Sequence, residues 1–95
     1  MENIRAHLYI SGRVQGVGFR RAAQLQANEL EVTGWSHNLA DGRVEIICEG
    51  KEKDVNKFIA WNKKGPRFAK VQDVEITYED VTGEWDEFLT REFGF

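Results

Sequence analysis

The stretch GRVQGVGFR, Gly12 to Arg20, gathers three glycines and two arginines and holds no acid. It does so in a chain whose formal net charge is −3. Glycine lets backbone N–H groups turn toward one point without a Cβ in the way. Successive N–H groups in such a turn form a concavity that holds an anion. A helix starting near Phe19 would add the positive end of its dipole at the same place. Arg20 would then stand in the first helical turn, where its planar, permanently charged fork matches two phosphate or carboxylate oxygens. These residues read as an anion cradle. A glycine-rich turn that only lets the helix pack on a sheet accounts for the same residues. Two familiar phosphate loops do not fit. No Lys-Ser or Lys-Thr closes the glycine run as a Walker loop requires. The third glycine position of a dinucleotide fingerprint holds Arg21, and a full dinucleotide domain needs a longer chain.

The flanking patterns predict the elements that must position this corner. Ile4–Ser11 alternates, with Ala6, Leu8 and Ile10 on one side, as a half-buried strand does. From Phe19 to Leu30, Phe19, Ala22, Ala23, Ala27 and Leu30 recur at helical spacing, with Leu25 off that face. A strand over Val32–Asn38 follows. Asp41-Gly42 is a tight-turn signal, so the chain doubles back into Val44–Glu49, with Val44, Ile46 and Cys48 on one face. Lys51–Lys64 reads as a second helix with Val55, Phe58, Ile59 and Asn62 inward, ended by Gly65-Pro66. Val71–Glu79 alternates again with Val74, Ile76 and Tyr78 as the inward set, and Glu87–Phe93 reads as a short fifth strand at a sheet edge. The order β-α-β-β-α-β predicts an α+β, ferredoxin-like sandwich: two helices on one face of an antiparallel sheet. That fold hosts many functions and decides none.

Composition narrows the classes. The 95 residues point to one domain, residues 1–95. The acidic balance argues against a general nucleic-acid binder, which carries a basic face. Tyr9 alone does not make the aromatic-basic pattern of an RNA-binding ferredoxin-like domain. Cys48 is the only cysteine, so no intrachain disulfide forms. No apolar run approaches the ~20 residues of a membrane span, and the N-terminus lacks a signal-peptide pattern. The expectations are a cytoplasmic monomer with neither membrane nor nucleic-acid partner. His7 and His37 are the only histidines and read as solvent-facing polar residues, with no metal site. Cys48 alternates with core residues and reads as packing. Trp35 reads as sheet packing, while Trp61 and Trp85 carry no functional signal. Glu84, Asp86 and Glu87 read as a solvated face. Asn38, before a turn, has a local backbone-capping reading. Arg13 is either a solvated surface residue or a helper at the pocket rim.

Ile10–Arg20, ISGRVQGVGFR, resembles the first signature of the acylphosphatases. Gly34–Gly50, GWSHNLADGRVEIICEG, resembles their second, with Gly34, Trp35, Asn38, Gly42, Val44 and Gly50 at the family's spacing. Gly65–Val71, GPRFAKV, is similar to the family's turn into the fourth strand. The likeness covers essentially the whole chain. Ser36 and His37 depart from the usual residues, which bears on substrate preference and rate more than on reaction type. The resemblance implies hydrolysis of the carboxyl–phosphate anhydride of a small-molecule acyl phosphate, with no metal or other cofactor. By matched position, Arg13, Val14, Gln15, Gly16, Val17, Gly18, Phe19 and Arg20 become the phosphate-binding loop. Arg20 becomes the phosphate clamp and Asn38 the residue that positions the attacking water. The same signature also occurs at the start of hydrogenase-maturation carbamoyltransferases. The alternative it implies is a non-catalytic module that binds phosphate or carbamoyl phosphate. Arg21, where those domains carry proline, and a chain ending at Phe95 weigh against it.

Overall fold

The computed structural model describes residues 2–91. Seven elements follow in chain order: β1 (Asn3–Arg13), α1 (Phe19–Glu29), β2 (Thr33–Asn38), β3 (Val44–Lys51), α2 (Glu52–Lys64), β4 (Lys70–Glu79) and β5 (Phe88–Arg91). They build one sheet in the order β4-β1-β3-β2-β5. β1 runs antiparallel to β3 and β4, and β2 antiparallel to β3. This is the ferredoxin-like α+β fold, and α1 and α2 share one face of the sheet.

Register explains the core. Ala6, Leu8 and Ile10 of β1 stand directly opposite Cys48, Ile46 and Val44 of β3, so two central strands turn matching apolar rows to the same side. Phe19, Ala23 and Ala27 of α1 and Val55, Phe58 and Ile59 of α2 close over them. Phe58 meets Phe88 of β5 edge to face, with ring centroids 5.4 Å apart. Ala22 and Leu30, expected on the inward stripe, are half-buried at its flanks, and Leu25 faces solvent as its off-stripe position predicts.

Two expectations need correction. The sheet is mixed: β5 pairs parallel to β2, with Gly34 opposite Phe88 and Arg91 opposite His37. β4 ends at the same end of the sheet as β2 begins, with Glu79 beside Arg5, Arg5 beside Glu49 and Glu49 beside Thr33. The connection crosses that end, where Thr82 and Gly83 donate to Glu49, so β5 starts level with β2. The predicted strand over Glu87–Phe93 is Phe88–Arg91, while Glu92 and Phe93 lie outside the described residues. Tyr78 does not join the core, being 60 % exposed. It lies along an open groove with Glu52 and Asn56 of the first turns of α2. Alternation gave the side of the sheet correctly, but no helix covers the end of an edge strand.

Candidate active site

The β1–α1 connection is pinned at both ends. Val14 and Phe19 are buried in the core, and Gln15–Gly18 arches between them. Gly16 at φ 73° and Gly18 at φ 75° take the left-handed backbone that glycine adopts without a steric penalty. Gly18 is the N-cap of α1 and offers no side chain to the first turn. The first helical bond is Ala22 N–H to Gly18 O at 3.1 Å. The amides of Phe19, Arg20 and Arg21 therefore have no intrahelical acceptor. No acid occupies that turn. Two arginines stand instead at the positive end of the helix dipole, an arrangement that a bound anion relieves.

This loop, the first turn of α1 and the end of β2 enclose a cavity of about 190 Å³ lined by Val14, Gln15, Gly16, Gly18, Phe19, Arg20, Arg21 and Asn38. The ~300–1,000 Å³ typical of drug-sized ligands is larger, so the space suits a small anion and water. Roomier grooves exist, about 510 Å³ beside Tyr78 and about 580 Å³ beside Trp61, but the first reaches a helix start that carries Glu52 and Asp54, and the second lies at the C-terminal end of α2. Of the residues picked out by the sequence, Arg20 and Asn38 reach the cavity with most of the loop. Arg13 and Val17 do not line it. Arg13 ends β1 opposite Lys70 and is exposed, and Val17 packs against the core.

Arg20 and Asn38 are held in different ways. Arg20 Nη1 donates to the main-chain carbonyl of Arg91 in β5, which orients the guanidinium of a residue that lines the cavity. Gln24 Nε2 donates to Phe88 O at 3.1 Å, so α1 is tied to β5 twice. Asn38 is the last residue of β2, paired with Val44. Among the described residues its amide has no recorded hydrogen-bond partner, which keeps it available to water. Gln15 Nε2 reaches the hairpin that follows, donating to Leu39 O at 2.8 Å and Arg43 O at 3.0 Å.

The opposite face of the sheet corrects the reading of the histidines. His37 points away from Asn38, as strand alternation requires, but it is 5 % exposed rather than solvent-facing. Its Nε2 lies 2.5 Å from Glu45 Oε1, and Trp35 covers it edge-on at 4.8 Å. His7 sits between Glu45, 2.5 Å from Nε2, and Glu79, 2.9 Å from Nδ1. Cross-strand register sets His37 directly opposite Glu45 and so gathers these side chains. Burial by itself would raise the Glu45 carboxyl, but hydrogen bonds with His37, His7 and Tyr9 outweigh it and hold it below the usual carboxylate range. Glu49 behaves likewise: burial opposes ionisation, and bonds from Thr82, Gly83 and Arg5 prevail. Among the described residues no group of three or more His, Cys, Asp and Glu side chains is arranged to hold a metal ion. Burial pushes the Cys48 thiol up to about 12, which removes it as a nucleophile.

The acylphosphatase family model matches residues 6–90, nearly the whole described chain and every wall of the cavity. The chain belongs to the acylphosphatase family. It is 49 % identical over 84 residues to an acylphosphatase of Roseiflexus sp., covering 88 % of this chain and 90 % of that one. The crystal structure of acylphosphatase from Bacillus subtilis superposes with a TM-score of 0.89 at 36 % identity, over 93 % of this chain and 98 % of that one. T. kodakarensis HypF matches 97 % of this chain with a TM-score of 0.81 and 31 % identity, but only 12 % of HypF is involved. The acylphosphatase match supplies the activity, that of a hydrolase acting on acyl phosphates. Sequence reasoning gave no site role to Arg21, which lines the cavity and donates to Gln24 Oε1 at 3.0 Å. It also missed the carbonyl of Arg91, because a main-chain acceptor leaves no mark in a sequence.

Proposed function

We propose that the cavity at the start of α1 is where an acyl phosphate is hydrolysed, with Arg20 as the phosphate clamp and Asn38 as the residue that positions water. One observation carries the reading: Arg20 and Asn38 line the same small cavity as the glycine loop and the uncapped first turn of α1. Phosphoryl transfer needs in-line placement and charge stabilisation on the equatorial oxygens, with little covalent help. The loop amides and the Arg20 fork supply that field already oriented. The Asn38 amide holds a water on the side away from the leaving oxygen. The leaving group is a carboxylate, stable as an anion, so no general acid is required. A neutral asparagine can orient water without taking its proton, which passes to the substrate phosphate. The charge of the transition state is met by protein groups, so the reaction proceeds without a metal. The residues from 1 to 95 act as one unit, a monomer in the cytoplasm acting on a small molecule, without nucleic-acid or membrane partners. The last point is supported by the acidic charge and by the lack, among the described residues, of a helix long and apolar enough to cross a membrane.

The test is phosphate release from benzoyl phosphate in EDTA. Wild-type protein turns over. Arg20→Ala weakens inhibition by inorganic phosphate and lowers kcat/KM by about 10²–10³-fold, the range for losing one preorganised charge-stabilising donor. Asn38→Ala lowers kcat by about 10²-fold and leaves phosphate inhibition within about threefold, since it removes positioning rather than binding. Equal loss of phosphate binding in both variants would refute this division of labour.

A further inference from the structure

Gln15 lies in the loop, yet its side chain turns out of it. The two hydrogens of its amide go to two carbonyls of the β2–β3 hairpin, Leu39 O at 2.8 Å and Arg43 O at 3.0 Å. Those carbonyls also close the hairpin itself: Arg43 O accepts from Leu39 N at 2.8 Å, and Leu39 O accepts from Gly42 N at 3.2 Å. Leu39 directly follows Asn38. The loop does not need this contact for its own shape, because Val14 and Phe19 anchor it in the core on either side. The hairpin has less support. Ala40, Asp41 and Gly42 are exposed, and beyond its own turn bonds the tip is steadied by Arg43, whose guanidinium stacks over Tyr9 at 4.7 Å.

We propose that Gln15 is a positioning residue for the hydrolysis. It locks the hairpin, and with it the Asn38 amide, onto the phosphate-holding loop, and so fixes the distance between held water and held phosphorus. This rests on the site reading above. The contact is made by the side chain, distinct from any backbone contribution of Gln15 to the anion cradle. A misplacement of about 1 Å between reacting groups costs on the order of 10²-fold, so the clamp acts on turnover. Binding is left to Arg20 and the loop amides, since both bonds of the Gln15 side-chain amide go to the hairpin.

Gln15→Met keeps the volume and removes both donors. Gln15→Asn keeps the donors on a side chain one methylene too short, and carries the test if the first variant fails to fold. The measurement is kcat for benzoyl phosphate and the Ki of inorganic phosphate, in wild-type and Asn38→Ala backgrounds. In the wild-type background kcat falls about tenfold or more while Ki stays within about twofold. In the Asn38→Ala background the same substitution lowers kcat no further, because residues acting as a unit are non-additive. A Ki that weakens in step with kcat, a full additive loss, or an unchanged kcat overturns the proposal. Inactive wild-type protein would instead overturn the site reading on which it rests.

Discussion

Helices α1 and α2 lie on the same face of one sheet and bury the same kind of apolar stripe, yet their charges run in opposite directions. α2 opens with Glu52 and Asp54 and closes with Lys63 and Lys64, which complements its dipole at both ends. The Glu52 amide bonds to Glu2 O at 3.0 Å, so its start is partly satisfied within the protein. α1 opens with Arg20 and Arg21, has no acid in its first turn and no base in its last, and begins on a glycine that offers no side-chain cap. Each mismatched charge costs about 0.3–1 kcal/mol. One helix end is arranged for stability alone. The other forgoes some of that stability to leave a cationic, amide-rich end for a ligand.

Substitutions can break or sharpen this contrast. Arg20→Ala has the largest effect, weakening phosphate inhibition about 10²-fold, whereas Lys64→Ala at the far end of α2 leaves the Ki unchanged. Gly18→Ala comes next. The added Cβ meets nothing within 4 Å, so the cost is the left-handed backbone alone, about 1–2 kcal/mol, read as a lower Tm together with weaker phosphate binding. The smallest effects set the two helices against each other. Arg21→Glu improves the dipole match of α1 and leaves the ligand-free Tm unchanged or slightly higher, but it shrinks the Tm rise produced by phosphate. Glu52→Lys lowers the ligand-free Tm by the equivalent of about 0.3–1 kcal/mol and leaves the phosphate-induced rise intact.

Acid stability belongs to neither helix end. Glu45 and Glu49 are held below the ordinary carboxylate value of 4.5 in the folded chain. Their contribution is therefore complete above about pH 4.5 and is lost as pH falls through the lower folded values. Thermal melts should show Tm declining below that pH. Glu45→Gln should flatten the decline, and Arg20→Ala should leave it unaltered. A decline that follows Arg20 instead would couple the two faces of the sheet, contrary to this account.

What could be read from the sequence follows from what is local. Seven elements, the loop glycines and the face of Asn38 were legible because period, turn chemistry and helix position are properties of neighbouring residues. The partners of those residues were not. The parallel pairing of β5 with β2 joins distant positions, and its carbonyl contact with Arg20 joins positions 71 apart in the chain. The burial of His37 depends on the register that sets Glu45 opposite it. Tyr78 was assigned the correct side of β4 and lacked only a helix to cover it. The double reach of Gln15 depends on where a hairpin 24 residues away folds back. Side-chain pattern gives direction, whereas coverage and main-chain acceptors come only with the assembled sheet.

The central claim is that the start of α1, unlike that of α2, is an anion site that also faces Asn38. Titration of inorganic phosphate into the protein in EDTA, followed by amide chemical shifts, tests it most directly. Saturable shifts are expected to concentrate at residues from Val14 to Arg21, with the Asn38 side-chain amide moving at the same midpoint and the first turn of α2 still. Shifts centred elsewhere, or a start of α1 that does not respond, would contradict it.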